Sequence, residues 1–171
     1  DDLLMKYMEA PQNITLNDMR SAIRKATIEK RINPVLCGSS FKNKGVQSLL
    51  DAVALYLPSP EDKQAIEGVN PYTNHIESRE PNVSEPFSAL VFKIAIDPFV
   101  GKIAYFRVYS GKLKEGSYVL NVTTDKKERI SRIFEMHANK QIPLQEISAG
   151  NIGVAVGFKM IRTGHTICDE K

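Results

Sequence analysis

Apolar positions follow two different periods along this chain. Through residue 60 they recur at helical spacing. Thr15 reads as a helix N-cap with Asp18 three residues on, close to the capping-box pattern. Met19, Ala22, Ile23 and Ala26 then make one apolar face. Asn33-Pro34 is expected to break that helix, and Val35-Leu36-Cys37 reads as a short buried strand. A loop from Gly38 to Gly45 follows. Val46 to Leu57 reads as a second amphipathic helix, with Val46, Leu49, Leu50, Val53 and Leu57 at i, i+3, i+4, i+7 and i+11. A stripe of that kind needs a covering surface, and a sheet is expected to supply it. Pro58-Ser59-Pro60 ends the helix, because proline lacks an amide donor and clashes with the preceding turn.

From residue 87 the period is that of a strand. Phe87 to Asp97 alternates, with Leu90, Phe92, Ile94 and Ile96 on one face and Ala89, Val91, Lys93 and Ala95 on the other. Asp97-Pro98-Phe99-Val100-Gly101 reads as a turn, and Lys102 to Ser110 alternates again. Gly111 and Gly116 bracket a tight connection before a strand from Ser117 to Val122. Thr123 to Lys126 is the next turn. Glu128 to His137 reads as one strand with Ile130, Arg132, Phe134 and Met136 on one face. Asn151 to Phe158 and Thr166 to Cys168 are the last candidates. Short strands with regular turn signals indicate a closed antiparallel barrel. Between the two regimes, residues 58–86 hold five of the nine prolines and show no period, so residues 61–85 read as a linker. The expected class is therefore α+β. Residues 1–60 carry helices and one short strand, and residues 86–171 form the barrel.

Composition changes this little. The chain has 171 residues, 42% apolar and 25% charged, which is ordinary for a packed core. No apolar run approaches a membrane span, and no signal segment opens the chain. Its start at Asp1-Asp2 suggests an excised or processed segment. Cys37 and Cys168 are too few for a disulfide framework and read as buried, reduced thiols, so a cytoplasmic protein is expected. Charge is uneven. Residues 1–60 carry 8 basic and 6 acidic side chains, residues 61–86 carry 2 and 6, and residues 87–171 carry 13 and 8. A mildly basic C-terminal part permits a polyanionic partner without demanding one.

Few residues carry chemistry. His75, His137 and His165 lack partners at metal-ligand spacing, so no metal is expected. There is no Gly-x-Ser-x-Gly elbow, and Ser39 and Ser40 read as loop residues. Strand, small-residue loop and helix in the order Val35 to Leu57 is how α/β proteins set backbone amides against a ligand. Yet no Gly-x-x-x-x-Gly-Lys-Ser/Thr phosphate loop occurs. Asn43-Lys44 begins an Asn-Lys-x-Asp signature but fails it, because Val46 stands where the carboxylate is needed. Taken alone, Gly38-Ser39-Ser40 fits an ordinary turn as well. Lys126, Lys127, Arg129, Arg132 and Lys140 gather around one hairpin and the next strand. They suit either phosphate contacts or a solvated rim. Alternation puts Lys127 and Arg129 on the exposed face, and no aromatics interleave with these charges.

Long motifs resemble the elongation factor G family, the bacterial translocation GTPases. They are Val35-Leu36-Cys37-Gly38-Ser39-Ser40-Phe41-Lys42-Asn43-Lys44-Gly45-Val46-Gln47, Leu49-Leu50-Asp51-Ala52-Val53 and Tyr56-Leu57-Pro58-Ser59-Pro60. Further on come Glu85-Pro86-Phe87-Ser88-Ala89-Leu90, Phe92-Lys93-Ile94, Asp97-Pro98-Phe99-Val100-Gly101-Lys102 and Phe106-Arg107-Val108-Tyr109-Ser110-Gly111. Gly116-Ser117-Tyr118-Val119-Leu120-Asn121 and Met136-His137-Ala138-Asn139 complete the set.

The resemblance implies that residues 1–60 end a GTP-binding domain and that the barrel is the second domain of translational GTPases. It implies a guanine-facing loop at Gly38, Ser39, Ser40 and Phe41. There a backbone amide donates to the base carbonyl oxygen and Phe41 flanks the ring. The family usually has Ala at the position of Ser40. The phosphate loop, the switches, the magnesium ligand and the Asn-Lys-x-Asp motif of the family are expected before Asp1. This chain is therefore expected neither to hydrolyse GTP nor to bind GTP or GDP with magnesium by itself. The implied partners are the small-subunit RNA of the ribosome, met by Lys126, Lys127, Arg129 and Arg132, and the remaining domains of the parent. The exposed helix face is expected to allow self-association. Rival readings are a ribosomal-protection or release-factor GTPase, and a stand-alone barrel adaptor for RNA or protein.

Overall fold

The computed structural model describes residues 2–62, 65–70, 72–97, 100–138 and 140–170. Pro98 and Phe99 of the expected turn at 97–101 lie outside the described residues, as does Asn139. The chain divides into two compact units, Asp1–Ser59 and Pro60–Lys171.

The first unit is helical: α1 (Asp2–Glu9), α2 (Leu16–Ile28) and α3 (Val46–Tyr56), with a 3₁₀ turn at Pro11–Asn13. Thr15 caps α2 as its sequence predicts. Its hydroxyl accepts from the Asp18 amide at 3.2 Å, and the Asp18 carboxylate accepts from the Thr15 amide at 2.8 Å. Lys6 adds an ion pair to the same carboxylate at 2.7 Å. The helix ends before Asn33-Pro34. Lys30 takes a left-handed φ of 60°, Arg31 N donates to Ala26 O at 2.8 Å, and Lys30 N donates to Thr27 O at 3.0 Å. This is a Schellman ending, reached without glycine. Arg24 Nη1 donates to Leu55 O at 3.0 Å and Leu57 O at 3.1 Å, which joins α2 to the last carbonyls of α3.

Val35-Leu36-Cys37 is not a strand. Val35 is 91% exposed, and the nearest pairing is the single bridge between Ser39 and Lys44. A strand needs a neighbouring ladder, and no described strand of this unit supplies one. For the same reason the α3 stripe stays uncovered, with Leu49, Leu50, Val53 and Leu57 all exposed. Only the opposite flank, at Ala52, is buried.

The second unit begins with a 3₁₀ turn, Pro60–Asp62, and a hairpin of β1 (Ile66–Val69) and β2 (Ile76–Arg79) inside the expected linker. Its turn is set by Asn70, whose Oδ1 accepts from the amides of Tyr72 (2.9 Å) and Thr73 (3.2 Å). The strands that follow are β3 (Ser88–Asp97), β4 (Gly101–Ser110), β5 (Lys112–Lys114), β6 (Tyr118–Asn121), β7 (Lys126–Arg129) and β8 (Arg132–His137). After them come β9 (Lys140–Leu144), β10 (Glu146–Ser148), β11 (Ile152–Val156) and β12 (Thr166–Cys168). Eight form one antiparallel sheet in the order β7-β6-β12-β3-β4-β11-β8-β9, and β5 pairs with β10 separately.

The single strand expected at Glu128–His137 is broken into β7 and β8 by a corner at Ile130-Ser131. Ile130 N still donates to Ser117 O at 3.0 Å, beside β6, while Ser131 N donates to Val156 O at 2.9 Å, in β11. One segment thus reaches both ends of the strand order, and the sheet curls into a barrel-like form. Gly157 makes room for the corner: a Cβ there would lie 2.3 Å from Ser131 Oγ.

The faces expected for β3 are also corrected. A bulge between Val91 and Lys93 inserts Phe92. Phe87, Ala89 and Val91 point into the core before the bulge, and Ile94 rejoins it afterwards. Ile96, expected on the same face as Leu90, is 86% exposed. The interior gathers Phe106, Val108, Val119, Ile130, Ile133, Phe158, Ile161 and Ile167. Ile133 and Phe134 lie on opposite faces of β8. Phe134 belongs to a second apolar cluster with Ile103, Val154 and Val156.

Candidate functional site

The segment Gly38–Gly45 is a tight loop fastened by its own backbone. Ser39 N donates to Lys44 O and Lys44 N to Ser39 O, each at 2.9 Å. Asn43 N donates to Ser40 O at 3.0 Å, and Asn43 sits at a left-handed φ of 51°. Gly38 is required by space, since a Cβ there would stand 2.8 Å from Lys44 O. The loop runs into α3 through Gly45, at φ 75° with no side-chain cap.

Among the described residues, the amides of Ser40 and Phe41 have no acceptor. The Phe41 ring is 99% exposed. Gly38, Ser39 and Ser40 line a hollow of about 280 Å³ together with Leu36, Cys37 and Lys44. The loop therefore brings three of its four predicted site residues around one hollow, and Phe41 projects free of it. Such a surface can meet a flat polar edge with amide donors. Cys37, expected to be buried, is exposed here, and Cys168 is half-buried, where burial raises its thiol pKa.

The basic residues do not all share one face of one strand. Lys127 and Arg129 share the exposed face of β7, as alternation predicts. Lys127 is already paired with Glu170 at 2.5 Å. Lys126 has the opposite parity, and Arg132 lies beyond the corner with its guanidinium 5.5 Å from the Phe134 ring centre. Besides Phe134 along the chain, a second aromatic accompanies these charges across the sheet. Tyr118, 60% exposed, stands directly opposite Arg129.

Sequence reasoning missed the residue that organises this end of the sheet. Glu128, only 5% exposed, accepts from Asn121 Nδ2 (2.8 Å) and from the amides of Lys159 (2.7 Å) and Met160 (2.9 Å). Asn121 Nδ2 also lies 3.1 Å from His165 Nδ1, and Asn121 Oδ1 accepts from the Thr124 amide at 3.4 Å. In the run Lys126-Lys127-Glu128-Arg129 nothing marks the glutamate as the buried member except its parity with Ile130.

Comparison with known proteins adds to this geometry. Residues 86–170 match the family model described as elongation factor G domain 2. The chain is similar to elongation factor G of Amoebophilus asiaticus, at 61% identity over 169 residues, 99% of this chain and 24% of that protein. It is similar to elongation factor G of Karelsulcia muelleri at 59% identity over the same share of each. The chain belongs to the elongation factor G family. It spans about a quarter of the length of these relatives, 24% of each. A crystal structure from Thermus thermophilus shares the fold, with a TM-score of 0.71 at 22% identity, over 100% of this chain and 23% of that one. Among the described residues, no helix is long and apolar enough to cross a membrane, and no group of three or more His, Cys, Asp or Glu gathers as a metal site.

Proposed function

We propose that this chain is the part of a ribosomal translocation GTPase that joins the end of the GTP-binding domain, residues 1–60, to the second domain, a closed antiparallel barrel from residue 86. Residues 61–85 connect them. The whole protein would bind and hydrolyse GTP in the cytoplasm and move tRNA and mRNA through the ribosome. The observation that carries this is the identity of 61% over 169 residues with an elongation factor G. It runs through the loop at Gly38 and the barrel alike.

Within that protein, Gly38, Ser39, Ser40 and Phe41 would form one wall of the guanine site. The amides of Ser40 and Phe41 suit the base carbonyl, and the exposed Phe41 ring suits one edge of the base. The residues present fit the guanine and not the rest of the nucleotide. Phosphoryl transfer needs phosphates, magnesium and water held in place. This chain has no phosphate loop and no Asn-Lys-x-Asp run. The segment is therefore no enzyme by itself. Lys126, Lys127, Arg129 and Arg132 would meet phosphates of the small-subunit RNA, and the bare α3 stripe would meet the remaining domains of the parent or a second copy of the segment.

Titration of the chain with a fluorescent GDP analogue in the presence of magnesium tests the reading. No saturable binding at high micromolar protein is expected. Saturable binding that GDP competes away would overturn it.

A further inference from the structure

Arg107 is the one cation of the second unit, among the described residues, with a buried side-chain nitrogen that has no hydrogen-bond partner. It lies on β4 between β3 and β11, opposite Leu90 and Ile152. The residue is half-buried, and its Nε is buried with no acceptor among the described residues. No carboxylate pairs with its guanidinium among those residues. Its one specific contact there is with the Tyr109 ring, whose centre is 5.7 Å from Cζ. An N–H group buried without an acceptor is costly, because water is excluded and nothing replaces it.

Beside it is a cavity of about 120 Å³ between the hairpin and the sheet. Arg107, Tyr109, Arg79, Ile66, Pro60 and Pro81 line it. Its second guanidinium is compensated: Arg79 Nη2 is 2.5 Å from Glu77 Oε2. The cavity is thus lined by one guanidinium with no carboxylate partner among the described residues and by apolar walls of proline and isoleucine. That combination selects charge, shape and size at once. A dianion would bring a second negative charge into a site with nothing to balance it. A monocarboxylate is matched by one guanidinium, and its planar oxygens suit the fork. A cavity of about 120 Å³ is larger than one water molecule needs. That is room for a carboxylate and a short aliphatic stem.

We infer that the Arg107 cavity is a binding site for a short-chain aliphatic monocarboxylate. The group can belong to a free acid or to the C-terminal end of a peptide, since the recognised chemistry is the same. This site lies within the second unit and does not depend on the role proposed above.

The test follows Arg Nε–H cross-peaks of the ¹⁵N-labelled 171-residue chain during titration with sodium butyrate, with sodium chloride as the control at matched ionic strength. One arginine peak should shift saturably, and Arg107→Lys should remove that peak and weaken binding at least about tenfold. Ile66→Phe narrows the cavity from the exposed hairpin strand and leaves Arg107 in place. It should weaken binding while the rest of the amide spectrum is retained. N-acetylvaline separates the sources: equal or tighter binding than butyrate assigns a peptide end, weaker binding a free acid, and either supports the site. Shifts that never saturate, or that spread over surface arginines, would overturn the inference. So would unchanged binding by Ile66→Phe, or inorganic phosphate binding as tightly as butyrate.

Discussion

Asn121 Nδ2 donates to Glu128 Oε1 across β6 and β7 at 2.8 Å, with both side chains buried. The orientation of the amide is determined from both sides, since Oδ1 receives the Thr124 amide and Nδ2 faces an acceptor-only carboxylate. The other carboxylate oxygen holds the amides of Lys159 and Met160, so one buried acid ties the β6–β7 pair to the segment after β11. Glu128→Ala should destabilise the second unit by about 3 kcal/mol, because buried donors lose their acceptor. Glu128→Gln keeps one acceptor and sets an NH₂ group against a donor, so a smaller loss of about 1–2 kcal/mol is expected. Urea unfolding of the two variants checks the order. Equal stability of Glu128→Ala and the parent chain would refute the account.

Close approach of the chain to itself gives a second prediction. Gly111 sits at φ +67°, and a Cβ there would lie 2.5 Å from Glu85 O and 2.6 Å from Phe87 N. Gly116, at φ +77°, has nothing within 4 Å of that position. Gly116→Ala should cost only the left-handed backbone penalty of about 1 kcal/mol. Gly111→Ala must also push away the Glu85–Phe87 backbone and should cost at least about 2 kcal/mol more. Thermal unfolding of both variants measures the difference.

These two cases show where sequence reading stops. The Thr15–Asp18 cap and α3 were legible because their signals are local. Strand Gly101–Ser110 was legible because its period of two is unbroken. The bulge at Phe92 was not, since one inserted residue reverses every later face without altering the apolar content of the run. The corner at Ile130-Ser131 depends on Gly157, remote in the sequence. The hairpin at Ile66–Arg79 is held by Asn70 chemistry rather than by alternation. At the candidate site, the small residues of the guanine loop stand together in the sequence. Tyr118 joins Arg129 only through strand pairing.

Acid should loosen α2. The Lys6 ammonium, then the Thr15 amide and hydroxyl, hold the Asp18 carboxyl below the usual carboxylate range. A folded pKa below the unfolded one gives stability that is present above the unfolded value and lost as pH falls through the folded value. Helicity of the chain should therefore decline below the ordinary carboxylate range, and Asp18→Asn should flatten that decline. Thr15→Ala should cost about 1 kcal/mol of helix stability at neutral pH. Circular dichroism against pH measures both effects. An unchanged acid limb in Asp18→Asn would count against the cap.

The basic strand can be tested residue by residue within the proposed ribosomal role. Lys127 is engaged with Glu170, whereas Arg129 has no carboxylate partner among the described residues. Arg129→Glu should weaken binding to small ribosomal subunits and lower the salt slope. Lys127→Ala should do less, because Glu170 already engages that ammonium. Filter binding at several salt concentrations measures both. Unchanged affinity and slope in Arg129→Glu would remove that residue from the interface.

Stability should differ sharply between the two units. In the second unit, side chains such as Val91, Phe106, Val108, Ile130 and Ile167 are fully enclosed. In the first, Ala52 is the one buried apolar residue among those described, and the α3 stripe faces outward. Burying an aliphatic side chain contributes roughly 1.5–3 kcal/mol. The helices of the first unit therefore lack the term that normally holds short helices, whose propensity alone is marginal. Local opening follows local packing, so amides of residues 1–57 should exchange faster than those of residues 87–168. Mass spectrometry after a deuterium pulse resolves the two segments. Added protection of residues 46–57 at high protein concentration would show a second copy covering the stripe. Equal protection of the two segments in dilute solution would refute this difference in stability.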